Sequence, residues 1–104
     1  MTKKEFFDFV EKDNQRMLEL LQAKNNDYTA GSDNALANFD QAERIGIDPV
    51  KGILLRVLDK MKRLETFAKN GYLSVKNETV MDAADDIEGY MKAIKSYLEG
   101  REYP

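Results

Sequence analysis

Apolar residues recur every three or four positions along nearly the whole chain, and this spacing constrains the fold more than any other feature. In the N-terminal part the stripe consists of Phe6, Val10, Met17, Leu20 and Leu21. Such a period is typical of an amphipathic helix, and no stretch shows the alternation of a half-buried strand. The sequence therefore predicts an all-α fold.

Capping and turn-forming residues divide the chain into helices. Asn, Asp, Thr, Gly and Ser dominate residues 25–34 and favour turns, so we expect a loop there. We expect three long helices and one short one, with approximate bounds Thr2–Lys24, Ala35–Arg44, Pro49–Asn70 and Glu78–Gly100. Together they predict a helical bundle.

The expected helix ends follow from the residues that flank them. Asp48 before Pro49 is a strong start signal, and Asn77 is the expected cap of the last helix, with Glu78 in its first turn. Gly46 and Gly71 are natural stops because glycine readily adopts the left-handed conformation.

Length and composition predict one domain over residues 1–104. The chain has 104 residues, of which 42% are hydrophobic and 34% are charged. A core of that size is modest, so we expect oligomerisation, as a dimer or a tetramer, to complete it.

The composition also excludes several kinds of chemistry. Without cysteine or histidine, the chain lacks disulfides, thiolate nucleophiles and the usual zinc ligands. A net charge of −3 argues against binding an extended nucleic acid. No apolar run is long enough for a membrane span and no signal peptide is evident, so we expect a cytoplasmic protein that does not enter membranes.

Four carboxylates lie on one side of the last helix: Glu78, Asp82, Asp85 and Asp86. At about 100° per residue they fall within an arc of roughly 100°. Mg²⁺ prefers such hard oxygen ligands and commonly takes one or two carboxylates plus phosphate oxygens. The alternative is that this acidic face is solvated surface, because charged residues are mostly exposed.

The apolar stripes of the two C-terminal long helices predict which faces are buried. On the first of them the expected face is Ile53, Val57, Met61 and Leu64, widened by Leu54 and Leu58. On the second it is Val80, Ala84, Ile87, Met91, Ile94 and Leu98.

Lys60 lies on the apolar side of its helix, where its ammonium group must either reach past its neighbours to water or pair with a carboxylate. Arg63 shares a polar edge with Arg56 and Asp59. For Arg63 an intrahelical ion pair and anion binding are both open.

Several short motifs resemble the nucleotide modification associated domain of phage and bacterial genomes. The matching residues are Lys24-Asn25-Asn26-Asp27-Tyr28, Ala37-Asn38-Phe39, Arg56, Asp59-Lys60, Arg63, Glu78, Asp82, Asp86 and Tyr90. That group resembles a branch of the all-α nucleoside triphosphate pyrophosphatases, which include the MazG-like enzymes and dimeric dUTPases.

The resemblance implies a Mg²⁺-dependent hydrolase that releases a nucleoside monophosphate and pyrophosphate. It implies that Glu78, Asp82 and Asp86 bind the metal and act in catalysis, with Asp85 as a supporting or alternate ligand. The expected nucleotide-binding residues are Lys60 and Arg63 for phosphate, with Lys24, Asp27, Tyr28, Asn38 and Phe39 for phosphate, sugar and base.

Two function hypotheses remain open. The first is a pyrophosphohydrolase that trims a nucleoside triphosphate pool, such as that of a phage with modified nucleotides. The second is a phage binding protein that sequesters a nucleotide signal or inhibits a host protein. It arises because the paired glutamates of MazG-like enzymes have no counterpart on the first helix, which offers only Glu5, Asp8, Glu11, Asp13 and Glu19.

Overall fold

The computed structural model describes residues 1–76 and 79–101, and the regular structure in these ranges is entirely helical. The α-helices are α1 (Lys3–Tyr28), α2 (Ala37–Asp40), α3 (Pro49–Asn70) and α4 (Val80–Glu99), and a 3₁₀ helix over Gln41–Ile45 follows α2. The expected all-α class is confirmed. None of the helices within these ranges has the length and apolar character needed to cross a membrane.

The chain forms two compact units, Met1–Asn38 and Phe39–Pro104. The first contains α1, and the second contains the α3–α4 hairpin. The single domain over residues 1–104, the complete bundle and its oligomerisation stay predictions.

Helix α1 is longer than the sequence indicated. Thr2 caps its N-terminus by accepting a hydrogen bond from the Glu5 amide at 3.1 Å. The helix then continues through Tyr28, so the loop expected from Asn25 was placed too early. Asn and Asp cost only a few tenths of a kcal/mol in a helix, too little to end one. The chain leaves the helical conformation at Ala30 and Gly31, whose φ angles are 52° and 76°.

The connection to α3 is partly as expected. In place of a continuous short helix over Ala35–Arg44, four α-helical residues precede a 3₁₀ helix. Gly46, with φ 76°, ends it as expected.

Helix α3 has the bounds that its flanking residues predicted. The Asp48 carboxylate accepts a hydrogen bond from the Val50 amide at 2.9 Å, and Gly71 ends the helix at φ 81°. The capping of the first turn and the left-handed glycine stop are both local effects, which explains why they can be inferred from sequence.

Helix α4 is capped by Thr79 through a reciprocal capping box. The Thr79 hydroxyl accepts from the Asp82 amide at 3.0 Å, and the Asp82 carboxylate accepts from the Thr79 amide at 2.9 Å. The expected cap Asn77 and the first-turn residue Glu78 lie outside the described residues. Thr79 followed three residues later by Asp82 fits the spacing of a capping box, a local pattern that was not among the expected helix starts.

The core of the hairpin is small and lies between α3 and α4. Ile53 and Val57 on α3 are buried, and so are Ala83 and Ala93 on α4. The alanines lie one position before the expected Ala84 and Ile94. Small residues at these points allow two helix backbones to approach closely, and this favours a slightly rotated interface.

The expected buried face of α3 was too wide. Leu54, Leu58 and Met61 are 44%, 62% and 45% exposed. Helix α4 covers the side of α3 that carries Ile53 and Val57, and the two leucines are rotated away from it. On α4, Met91 is likewise 37% exposed although it was expected to be buried.

Two long-range contacts fix one end of the hairpin. The Tyr97 hydroxyl donates a hydrogen bond of 2.5 Å to the Asp40 carboxylate, and the Arg101 guanidinium lies 3.3 Å from both oxygens of Asp48. Helix α4 is thereby joined to the residues that precede α3.

Candidate site on the hairpin of α3 and α4

An ion pair between Lys60 and Asp86 joins the two helices of the hairpin. The Nζ atom lies 3.2 Å from an Asp86 oxygen, and the two side chains are only 26% and 20% exposed. Pairing with a carboxylate was one of two outcomes expected for Lys60, and it is the one observed. Because both groups are partly withdrawn from water, the pair is less screened than one on the open surface.

A second cation, Arg56, lies over an aromatic ring next to the same hairpin. The Arg56 guanidinium lies 5.1 Å from the centre of the Phe39 ring, and the Phe39 and Tyr90 rings meet edge to face at 6.2 Å. Within residues 1–76 and 79–101 no carboxylate pairs with Arg56. Its contact with the described part of the chain is therefore with an aromatic ring and not with a carboxylate.

Arg56, Lys60 and Arg63 form a cationic row along α3. At about 100° per residue, spacings of four and three residues place them within an arc of roughly 60° and along about 10 Å of helix axis. Arg63 is half-buried and already interacts with another residue of the chain. The row is an arrangement that suits an anion with several phosphates, because each cation meets a different part of it.

The acidic residues of α4 occupy different environments. Asp82 is exposed and caps its own helix, Asp85 is 6% exposed, and Asp86 pairs with Lys60. Glu78, the fourth expected ligand, lies outside the described residues. Within the described part of the chain, no three acidic side chains converge as a group that could hold a metal ion.

The remaining expected binding residues belong to the N-terminal unit. Lys24, Asp27 and Tyr28 lie in the last part of α1, where spacings of three and four residues place them on one side of the helix. Tyr28 is 62% exposed, and Asn38 on α2 is half-buried. Their grouping with the hairpin residues stays a prediction.

A separate open cleft of about 380 Å³ lies at the start of α3, lined by Glu43, Gly46, Ile47, Asp48, Pro49 and Arg101. The pKa of Asp48 is lowered below its ordinary value, mainly by the hydrogen bond from the Val50 amide and next by the hydrogen bond from Arg101. The pKa of Tyr97 is raised well above its ordinary value, mainly by desolvation and next by the hydrogen bond to Asp40. Both shifts reflect the contacts that fix this end of the hairpin, at a distance along α3 from the Lys60–Asp86 pair.

Arg56 and Tyr90 had no predicted binding role, although both belong to the motifs of the resemblance. One signal for Arg56 was available, since it precedes Lys60 by four residues and so shares its side of α3. The contact of Phe39 with Tyr90 joins residues 51 positions apart, and no local pattern encodes it.

No family model, curated protein or solved structure matches this chain. The likeness to the nucleotide modification associated domain therefore stays a hypothesis that rests on the motifs alone.

Proposed function

We propose that this protein binds a nucleoside triphosphate on the α3–α4 hairpin and, with Mg²⁺, hydrolyses the bond between its α- and β-phosphates. The products are a nucleoside monophosphate and pyrophosphate, and the setting is the cytoplasm. The observation that carries the proposal is the partly buried Lys60–Asp86 pair, which lies on the same hairpin as Arg56 and its aromatic neighbours.

The cationic row supplies the phosphate-binding part of the proposal. Lys60 offers a compact charge, while Arg56 and Arg63 offer planar groups that bind two oxygens at once. In the free protein Asp86 compensates the charge of Lys60. A triphosphate brings more negative charge than one carboxylate and replaces Asp86 as the partner of Lys60.

The aromatic group supplies a surface for the base. Phe39 and Tyr90 are both half-buried, so their rings are held in place by the hairpin while part of each stays accessible. A nucleobase stacks favourably on an aromatic ring or on a guanidinium plane. Arg56 is therefore proposed to contact both the base and the phosphates.

The metal would be held by acids of the last helix. The proposed ligands are Glu78, Asp82, Asp85 and Asp86. A preformed cage of three acids is not found among the described residues, but Mg²⁺ needs only one or two carboxylates when phosphate oxygens complete its shell. Once bound, Mg²⁺ supplies charge neutralisation and Lewis acidity toward the phosphate oxygens.

A second candidate function is nucleotide binding without hydrolysis, for sequestration of a nucleotide signal or inhibition of a host protein. Two observations favour it. Asp82 is engaged in capping α4, and Asp86 is engaged with Lys60, so neither acid is held ready for a metal.

Pyrophosphate release distinguishes the two candidates. The purified full chain is incubated with each common and modified nucleoside triphosphate, with and without Mg²⁺, and both pyrophosphate and the monophosphate are quantified. The hydrolase proposal predicts Mg²⁺-dependent release that Asp86→Asn reduces by about 100-fold or more, since catalytic metal ligands are rarely dispensable.

The matched control for Asp86→Asn is Glu88→Gln, because Glu88 is an exposed acid on the same helix. Its release should stay within about twofold of the unmodified chain, as expected of an exposed surface charge. Nucleotide binding in equilibrium dialysis without any turnover supports the second candidate. Absence of both binding and turnover contradicts both.

A further inference from the structure

Helix α3 carries an exposed apolar stripe on a side that α4 does not cover. Leu54, Leu55, Leu58 and Met61 are 44%, 60%, 62% and 45% exposed. At about 100° per residue they lie within an arc of roughly 120°. These side chains leave on the order of 400 Å² of apolar surface in water, a size at which a patch on a monomer commonly marks an interaction site.

The charges that flank this stripe are arranged symmetrically about Leu58. Lys51 lies seven residues before Leu58 and Glu65 lies seven residues after it, and both are exposed. Leu55 and Met61 lie three residues on either side. When a second copy of the helix runs in the opposite direction, Lys51 therefore lies opposite Glu65 and Leu55 lies opposite Met61.

From this symmetry we infer that two copies of the chain associate through α3, antiparallel, with a two-fold axis at Leu58. In this contact Leu58 packs on the partner's Leu58, and Leu55 packs on the partner's Met61. Lys51 meets the partner's Glu65, and the two-fold axis repeats that ion pair on the other side.

The opposite orientation is disfavoured by charge. In a parallel contact in register, Lys51 would face the partner's Lys51 and Glu65 would face the partner's Glu65. The antiparallel contact replaces both repulsions with attractions. It also places Leu54 against the partner's Lys62, whose aliphatic stem can cover the leucine while its ammonium group stays in water.

The existing environment of Glu65 is compatible with this contact. Its carboxylate lies 3.7 Å from Lys62 of its own helix, and the two side chains are 63% and 79% exposed. Such an exposed pair contributes little and leaves Glu65 free to accept a second cation. The two stripes together offer at most about 800 Å² of apolar surface, so with their charged rims the interface is at the low end of specific contacts. We therefore expect a weak dimer, with a dissociation constant on the order of micromolar.

Sedimentation equilibrium of the full chain between about 1 and 500 μM tests the dimer, since that range brackets a micromolar dissociation constant. Leu58→Glu places two carboxylates face to face at the axis and should leave a monomer throughout. Val75→Glu is the matched control, because Val75 is an apolar residue of similar exposure, 57%, outside the stripe. It should dimerise like the unmodified chain.

Charge reversal tests the orientation. Lys51→Glu and Glu65→Lys should each weaken dimerisation by about tenfold, because each turns two attractions into two repulsions. The double variant Lys51→Glu/Glu65→Lys restores both pairs and should return to within about threefold of the unmodified chain on the same reasoning. Circular dichroism of each variant checks that its helix content is unchanged.

Cysteine cross-linking gives a second readout, since the chain has no cysteine of its own. Leu58→Cys should form a disulfide dimer on mild oxidation, and Lys51→Cys/Glu65→Cys should do so while Lys51→Cys alone does not. A monomer at every concentration, or equal cross-linking of Leu58→Cys and Val75→Cys, overturns the inference. Efficient cross-linking of Lys51→Cys alone overturns the antiparallel orientation.

Discussion

Two ion pairs of the α3–α4 hairpin reach much farther along the chain than an ion pair of α1 does. In α1, Lys4 pairs with Asp8 four residues away. In the hairpin, Lys60 pairs with Asp86, 26 residues away, and Arg101 with Asp48, 53 residues away. Pairs at helical spacing stabilise one helix, whereas pairs between helices determine which faces meet.

This difference suggests where function lies. A surface pair such as Lys4–Asp8, with side chains 85% and 54% exposed, contributes little to any arrangement. The Lys60–Asp86 pair is partly buried, between helices, and on the side of α3 that also carries Arg56. Partial burial costs both charges some of their hydration, and this pair is the contact on which the proposed phosphate binding depends.

The largest expected effect comes from the hairpin core. Ile53 is fully buried, so Ile53→Ala should lower the free energy of unfolding by about 2–5 kcal/mol, measured by urea denaturation. On α1, Phe7 is 63% exposed, and Phe7→Ala should change it by less than about 0.5 kcal/mol. Equal losses in the two variants would remove the contrast between the hairpin and α1.

The next effect concerns the long-range hydrogen bond of Tyr97. Tyr97→Phe removes the donor to Asp40 and should cost about 1 kcal/mol at neutral pH.

The raised pKa of Tyr97 also gives this residue a pH signature. Above the ordinary value of 10.0, tyrosine ionises in the unfolded chain before it does in the folded one. The contribution of Tyr97 to the free energy of unfolding is therefore fully present below pH 10 and should decrease as the pH rises above this value. Between pH 9 and pH 11 the free energy of unfolding, measured by urea denaturation, should decrease less in Tyr97→Phe than in the parent chain. An identical decrease in the two chains would contradict the raised pKa.

A smaller effect is expected from Asp48 in acid. Its lowered pKa means that the folded state gains stability above the unfolded pKa and loses it as the pH falls through the folded value. Asp48→Asn keeps a capping side chain but loses the charge, so its urea midpoint should change less between pH 7 and pH 3. An acid dependence equal to that of the parent chain would show that Asp48 does not contribute.

The smallest effect is expected on α1. Lys4→Ala removes an exposed pair four residues apart and should cost less than about 0.5 kcal/mol, with any difference from the parent chain vanishing in 1 M salt. A loss above 1 kcal/mol that persists in high salt would mean that the local pairs of α1 matter as much as the hairpin contacts.

The features that the sequence predicted well are those that depend on neighbouring residues. The all-α class follows from periodicity, and the bounds of α3 follow from Asp48 and Gly71. The bounds of α1 and α4 were less accurate. The weak helix propensity of the residues from Asn25 onward does not end α1, and α4 is capped by Thr79, which was not the expected cap.

The features that the sequence predicted poorly depend on which helices meet. The periodic pattern cannot say that α4 covers Ile53 and leaves Leu58 in water, since both positions fit an apolar stripe. In the site, the position of Lys60 left two outcomes open, an ammonium group that reaches water or an ion pair, and it did not identify Asp86 as the partner. The role of Arg56 required the contact with Phe39, which no local spacing encodes.

The most direct test of the central claim is the affinity of the full chain for nucleoside triphosphates, measured by calorimetry in Lys60→Ala and Lys62→Ala. Both lysines lie on α3, but Lys60 faces Asp86 whereas Lys62 pairs with Glu65 at the exposed surface. The account predicts that the parent chain binds at least one triphosphate, that Lys60→Ala weakens binding by about tenfold or more, and that Lys62→Ala stays within about twofold. Equal losses in both variants, or no binding by the parent chain, would contradict it.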